Sequence, residues 1–235
     1  NVSGVENLNF SSGNDTFSFT DKADYDSTIY DSTISKFSAV SGGSGTDSID
    51  FSSAVSGDLD FSKLSEFENL DLSSVADTII LSGDESENVN GLAGNDTFSL
   101  DFSNIDNFSI DGGANTDDVI LSGSSNSITS DTEFGHETSF TNIERLDISS
   151  LSLNTLDSST EFEFTDALLQ SWTGSTTGNL TLSLTSAQAD LIKFTDTTSG
   201  TERNAYGTGS PDGRIEDNTT YDLGNTTLTI DLTDV

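Results

Sequence analysis

Gly91–Leu121 reads GLAGNDTFSLDFSNIDNFSIDGGANTDDVIL and holds two copies of one unit. Each copy is a Gly/Asn turn, an Asp, and a short alternating apolar strand. The two strands are Asp96-Thr97-Phe98-Ser99-Leu100 and Asp117-Asp118-Val119-Ile120-Leu121. Glycine tolerates the positive φ that folds carbonyl oxygens inward, and the apolar residue two positions after each Asp is expected to point into a core. Three earlier strands open with the same phrase: Asp15-Thr16-Phe17-Ser18-Phe19, Asp47-Ser48-Ile49-Asp50-Phe51 and Asp77-Thr78-Ile79-Ile80-Leu81. Successive Asp residues stand 32, 30, 19 and 21 positions apart, so the repeat is irregular and carries insertions.

A second phrase recurs beside the first. Val5-Glu6-Asn7-Leu8-Asn9-Phe10, Phe67-Glu68-Asn69-Leu70-Asp71-Leu72 and Ile143-Glu144-Arg145-Leu146-Asp147-Ile148 each alternate apolar and polar residues. That is the period-two mark of a half-buried strand. Leu8 to Phe17 and Leu70 to Ile79 are both 9 residues, which reads as strand, turn, strand in one coil of a right-handed solenoid. Residues 1–150 are expected to form about five irregular rungs, above the minimum of three that such stacks need.

The turns suit a hard cation. Calcium takes six to eight oxygen ligands from carboxylates and from backbone or Asn carbonyls. The candidate ligands are Asp15, Gly42, Ser44, Asp47, Asn90, Asn95, Asp96, Asp111, Gly113, Asn115 and Asp117. A lone Gly-Asn-Asp is an ordinary turn signal; five related units favour calcium. Val75-Ala76-Asp77 has no glycine, and its turn is expected to carry no ion.

Composition narrows the partners. The 235 residues include 41 acidic and 7 basic ones, for a formal net charge of −34. Nucleic acid and anionic lipid both demand a basic patch and are excluded as partners. Self-repulsion on this scale keeps a chain open until cations neutralise it. With no Cys, any stapling must come from metal or core. No apolar run approaches the roughly 20 residues of a membrane span. No signal-peptide pattern begins at Asn1, and the stretch is expected to be a module of something longer.

From about Leu151 the pattern changes. Phe162, Phe164, Leu168 and Trp172 share one face of a helix placed at roughly Phe164–Trp172, although Glu161-Phe162-Glu163-Phe164 also suits the start of a strand. Thr185-Ser186-Ala187-Gln188 is a capping box, opening a short helix through Lys193. Asn179–Leu184 and Thr226–Leu232 alternate as strands. Residues 151–235 are thus expected to be a β-rich cap with one or two short helices, separate from or continuous with residues 1–150. Thr195–Thr220 is the longest stretch without strand or helix pattern, and such loops are functional or disordered. It carries Arg203, Tyr206 and Arg214, candidate contacts for a carboxylate or sugar together with Tyr221 and Trp172. Asp212, Glu216 and Asp217 are candidates for a further calcium there.

Gly42-Gly43-Ser44-Gly45-Thr46-Asp47-Ser48-Ile49-Asp50 matches the nonapeptide G-G-x-G-x-D-x-U-x at every position, and Gly112–Ile120 matches with Asn115 in place of the third Gly. On these residues the chain resembles the calcium-binding repeats of RTX proteins. Asn142-Ile143-Glu144-Arg145-Leu146-Asp147, leading into strands and short helices, looks like C-terminal regions of giant RTX adhesins. The likeness covers most of residues 1–150 by repeat and the rest by general style. It departs from the repeat at Gly91-Leu92-Ala93-Gly94 and Ser11-Ser12-Gly13, which lack consensus glycines. The resemblance implies a mostly all-β, irregular parallel β-solenoid or β-roll with Ca²⁺ in its turns. It also implies export by a Gram-negative bacterium through type I machinery, a place on the cell surface, and a monomeric module that binds a glycan or peptide.

Catalytic motifs are missing. There is no H-E-x-x-H and no G-x-S-x-G, and one His with no Cys excludes Cys-His and most Ser-His schemes. The chain is expected not to be an enzyme. An S-layer-like lattice protein shares the acidity and the calcium need, and is the stronger alternative. Ice binding needs regular Thr and Asn ladders, against which the uneven spacing argues.

Overall fold

Alternation fixes which side of each short strand faces inward, and Gly/Asn turns fix where the chain leaves it. The computed structural model describes residues 7–10, 12–18, 39–50, 57–60, 64–81, 88–101, 109–125, 139–153, 162–165, 172–173, 179–189, 192–196, 201–204, 220–222 and 227–233. In chain order the strands are β1 (Asn7–Asn9), β2 (Thr16–Ser18), β3 (Ala39–Ser41), β4 (Ser48–Asp50), β5 (Gly57–Asp60), β6 (Leu64–Ser65) and β7 (Asn69–Asp71). There follow β8 (Asp77–Leu81), β9 (Asn88–Asn90), β10 (Thr97–Asp101), β11 (Ser109–Asp111), β12 (Asp118–Ser125), β13 (Ser139–Thr141) and β14 (Arg145–Leu153). The last are β15 (Phe162–Thr165), β16 (Asn179–Leu184), helix α1 (Ser186–Ala189), β17 (Ile192–Asp196), β18 (Thr201–Asn204), β19 (Thr220–Asp222) and β20 (Thr227–Leu232).

The molecule is mostly β, and its two largest sheets are built by parallel pairing. One has six strands in the order β13-β11-β9-β7-β4-β2; the other has eight in the order β19-β20-β16-β14-β12-β10-β8-β5, antiparallel only at β19. The strands of a three-stranded parallel sheet, β1-β3-β6, interleave along the chain with the first strands of the six-stranded one. All five Asp-x-φ phrases form strands, yet β2 and β4 lie in the six-stranded sheet while β8, β10 and β12 lie in the eight-stranded one. From β7 to β14 successive strands alternate between the two sheets, and each return adds one strand beside the previous one.

Register turns the alternation into continuous apolar rows. Phe17, Ile49, Leu70, Val89, Ile110 and Phe140 align across the six-stranded sheet. Ile79, Phe98, Val119, Leu146, Leu182 and Ile230 align across the eight-stranded one. Except for the half-buried Phe17, all of these side chains are buried. Each fully buried Leu, Ile, Val or Phe contributes about 1.5–3 kcal/mol, so the rows dominate stability.

The uneven sequence spacing leaves no trace in this register. It is absorbed between strands, and the outward row Ser18, Asp50, Asp71, Asn90, Asp111, Thr141 is as regular as the inward one. Spacing is thus no argument against ladders; the row's mixed chemistry, with three Asp, is what sets it apart from a Thr or Asn ladder.

Corrections gather in the C-terminal part. Phe162–Thr165 is strand β15, paired with β17, so the helix expected from Phe164 does not begin there; residues 166–171 lie outside the described ones. The capping box forms as read: the Thr185 N–H donates to Gln188 Oε1 at 2.7 Å and the Gln188 N–H to Thr185 Oγ1 at 3.3 Å. The described helix, however, is Ser186–Ala189, and Gln188 is buried, its Nε2 donating to the carbonyls of Ile148 and Leu151. Lys193, expected on that helix, is in β17. Nor is Thr195–Thr220 patternless: Thr201–Asn204 pairs antiparallel with β17 and places Arg203 opposite Phe194. The eight-stranded sheet itself runs across residue 150, since β14 spans Arg145–Leu153 and β16 and β20 continue it.

Leu92 holds φ at +65°, the left-handed region that Gly43 (+97°) and Gly113 (+91°) occupy at the matching turn position. A side chain there costs about 1–2 kcal/mol, and Leu92 is exposed enough to return little by burial. Leu92→Gly is expected to stabilise the protein by about 1 kcal/mol, read as a higher urea midpoint at unchanged m-value. A lower midpoint would show that the Leu92 side chain holds its turn.

Candidate metal centre

The residue before each strand that leaves a glycine turn is an acid, and these acids stack. In the first column the Asp15 N–H donates to Asp47 Oδ1 at 2.7 Å and the Asp47 N–H to Glu68 Oε2 at 2.6 Å. In the second, the Asp77 N–H donates to Asp96 Oδ1 and the Asp96 N–H to Asp117 Oδ1, both at 2.8 Å. The Asp117 N–H donates to Glu144 Oε2 at 2.9 Å. Asp47, Glu68, Asp96, Asp117 and Glu144 thus each spend one carboxylate oxygen on the backbone of an earlier turn.

The other oxygen is stranded. Asp47, Asp77, Asp96 and Asp117 are at most 2 % exposed, and Asp47 Oδ2, Asp77 Oδ1, Asp96 Oδ2 and Asp117 Oδ2 are buried without a hydrogen-bond donor. Asp15 Oδ2 is in the same state. Glycine shows where these oxygens sit. A Cβ added at Gly42, Gly91 or Gly112 would stand 2.9, 2.7 or 2.8 Å from Oδ2 of Asp47, Asp96 or Asp117. It would stand closer still to the carbonyl oxygen of Glu66, Gly112 or Asn142 in a later turn. The missing side chain leaves a cradle where a carboxylate and a carbonyl oxygen converge. Two acceptors so placed need a cation or a proton between them.

Asp77 is built differently. Leu72 occupies the position of Gly91, and Asp77 Oδ2 takes the Ser73 N–H at 3.1 Å and the Ser73 hydroxyl at 2.8 Å. A serine replaces part of what the glycine cradles offer, while Asp77 Oδ1 stays without a donor.

Burial pushes the Asp117 carboxyl up to about 7 from its usual 3.8. The Asp96 N–H opposes this, while the charges of Asp96, Glu144 and Asp118 add to it. Burial likewise raises Asp96 to about 6, against the Asp77 N–H and with the Asp77 charge adding. Asp77 is raised by burial against its Ser73 bonds.

The remaining expected ligands lie apart from the stranded oxygens. Asn90 Oδ1 accepts the Leu92 N–H, and Asp111 Oδ1 accepts the Gly113 N–H and Asn142 Nδ2, so both cap turn entrances on the outer face. Asn95 Oδ1 accepts the Thr116 N–H, and Asn115 and Ser44 are exposed. Ser44 offers its carbonyl to the Gly13 N–H, and Gly113 meets the Leu92 carbonyl. Among the described residues no three acidic or His side chains converge on one point; a cradle brings one carboxylate and must rely on carbonyls. Trp172 is 2 % exposed, with its ring 5.7 Å from Phe140, so it closes the end of the six-stranded sheet and offers no open face to a ligand. Tyr206, Asp212, Arg214, Glu216 and Asp217 lie outside the described residues, and Arg203 and Tyr221 are placed only as members of β18 and β19. Sequence reading saw Asp77 only as a strand start and passed over Glu68 and Glu144; the signal for the two Glu was their shared place in the φ-Glu-x-Leu-Asp phrase.

A scan against protein-family models finds no match, and neither a curated protein nor a solved structure is found to be similar to the chain.

The raised carboxyls set a pH dependence. Folded-state values of about 6 and 7 lie above the unfolded 3.8, so in calcium-free buffer the folded state holds protons that the unfolded chain releases. Their stabilisation is complete below the unfolded value and is lost as pH rises through 6 to 7. Urea midpoints without calcium are expected to fall from about pH 5 to about pH 8, and Asp117→Asn should flatten that fall. A midpoint that climbs over the window contradicts the burial.

Proposed function

We propose that the chain is a calcium-stabilised β-solenoid module of an RTX-type bacterial adhesin, acting outside the cell without catalysis and attaching it to a glycan or peptide. The stranded, buried oxygens of Asp47, Asp96 and Asp117, each facing a carbonyl across a glycine cradle, carry the calcium part. Calcium is an oxygen-seeking ion with flexible geometry, and it supplies the positive charge that these turns lack. Asp47 with the Glu66 carbonyl, Asp96 with the Gly112 carbonyl and Asp117 with the Asn142 carbonyl would hold it, neighbouring turn carbonyls and water completing the shell. The alternation of strands between sheets supports the solenoid. The adhesin part rests on the repeat resemblance, and ligand contact is assigned to Arg203, Tyr206, Arg214 and Tyr221, with Asp212, Glu216 and Asp217 as a further calcium set.

Metal that binds only the folded state stabilises it by about 2.7 kcal/mol at a hundredfold excess over Kd. The native protein should melt lower in EGTA and recover with Ca²⁺ but poorly with Mg²⁺, which demands a tight octahedral shell. Asp117→Asn separates a cation cradle from a buried proton site. Its amide oxygen still accepts the Asp96 N–H, while its NH₂ meets the Asn142 carbonyl. The variant is therefore expected to gain about 1 kcal/mol without metal and to lose part of the calcium response. Identical melting of the native protein in EGTA and calcium would end the calcium reading. Assembly into sheets on calcium addition would replace the adhesin by a lattice protein.

A further inference from the structure

The two carboxylate columns end in the same way. Six residues separate β3 from β4, β9 from β10 and β11 from β12, but only Glu66-Phe67-Glu68 joins β6 to β7 and only Asn142-Ile143-Glu144 joins β13 to β14. Both short turns begin with a non-glycine residue in the left-handed region, Glu66 at φ +57° and Asn142 at +54°. Both next bury an apolar residue, Phe67 or Ile143. The Glu follows directly before the strand, where Asp47, Asp96 and Asp117 stand in the longer turns.

Hydrogen bonding shows why the column goes no further. An Asp inside a column points its N–H forward, to the carboxylate of the next coil. The Glu68 N–H instead turns back to the Asp47 carbonyl, and the Glu144 N–H to the Asp117 carbonyl, both at 3.1 Å. With its donor reversed, the Glu accepts from the last Asp and passes nothing on. The longer side chain spans what the shorter turn leaves open. The sheet before each Glu also stops there, since β6 and β13 are the end strands of their sheets.

We infer that Glu68 and Glu144 are the end-stops of two separate ion columns, each holding the last aspartate of its column against the terminal cradle. This rests on the calcium reading. The terminal cradles are those of Asp47 with the Glu66 carbonyl and Asp117 with the Asn142 carbonyl, whose stranded oxygens are buried. Two columns of this kind load independently, and each Glu acts through its own last Asp.

Trp172, the chain's single tryptophan, reports on one column only. Its carbonyl accepts the Ile143 N–H at 2.8 Å, next to Glu144. Calcium titration of the full chain is followed by Trp172 emission and, separately, by total ⁴⁵Ca bound at equilibrium. Glu144→Gln keeps an acceptor for the Asp117 N–H but removes the charge, and should weaken the Trp172-reported transition about tenfold, the usual effect of losing a group that orients a ligand. Glu144→Asp keeps the charge but is a methylene too short, and should do the same. Glu68→Gln should leave the Trp172 transition in place while weakening another part of the total binding. Equal shifts of the Trp172 transition by Glu68→Gln and Glu144→Gln would mean one column and overturn the proposal, as would Glu144→Gln and Glu144→Asp binding like the native chain. A native protein that binds no calcium overturns the calcium reading itself, which is a distinct result.

Discussion

A backbone N–H with no backbone partner governs this structure. At every glycine turn the N–H of an Asp leaves the strand ladder and must find an acceptor inside the protein. An unmade buried bond costs about 1–3 kcal/mol. A carboxylate from a later turn takes it at 2.6–2.9 Å, and a charged acceptor makes the bond stronger than a neutral one would. That solution stacks like charges at the spacing of neighbouring strands, about 4.8 Å. At an effective dielectric of about 20, such a pair repels by on the order of 3 kcal/mol. Backbone satisfaction therefore creates the electrostatic problem, and the glycine cradles are where an answer fits.

Apolar burial and carboxylate stacking share one register. The residue two positions beyond Asp47, Asp77, Asp96 and Asp117 is a core residue, Ile49, Ile79, Phe98 or Val119, and all four are fully buried. A slip of one position would expose the apolar row and at the same time take each carboxylate away from its N–H. The two constraints specify the same alignment, so segments of very different length can be inserted between strands without disturbing it.

The parts of the fold governed by local chemistry could be read from the sequence. Asp-x-φ phrases announced strands, and Thr185-Ser186-Ala187-Gln188 announced a cap that forms with both of its reciprocal bonds. Distant partners could not be read. Asp15 and Asp77 open with similar phrases, yet their strands belong to different sheets. Gln188 belongs to the cap by sequence, yet its amide nitrogen is claimed by carbonyls 37 and 40 positions away. Leu92 adopts the conformation that glycine holds at the matching position of two other turns, which its own side chain does not announce. In the candidate site the Asp residues were visible by motif, whereas Glu68 and Glu144 looked like ordinary strand residues until their partners, 21 and 27 positions away, were known.

The columns also have a direction. Every N–H in them belongs to an earlier turn and every carboxylate to a later one. A chain assembled from its first residue onward therefore leaves each of these donors unmet until the acid that follows it has arrived, and a buried donor must be met.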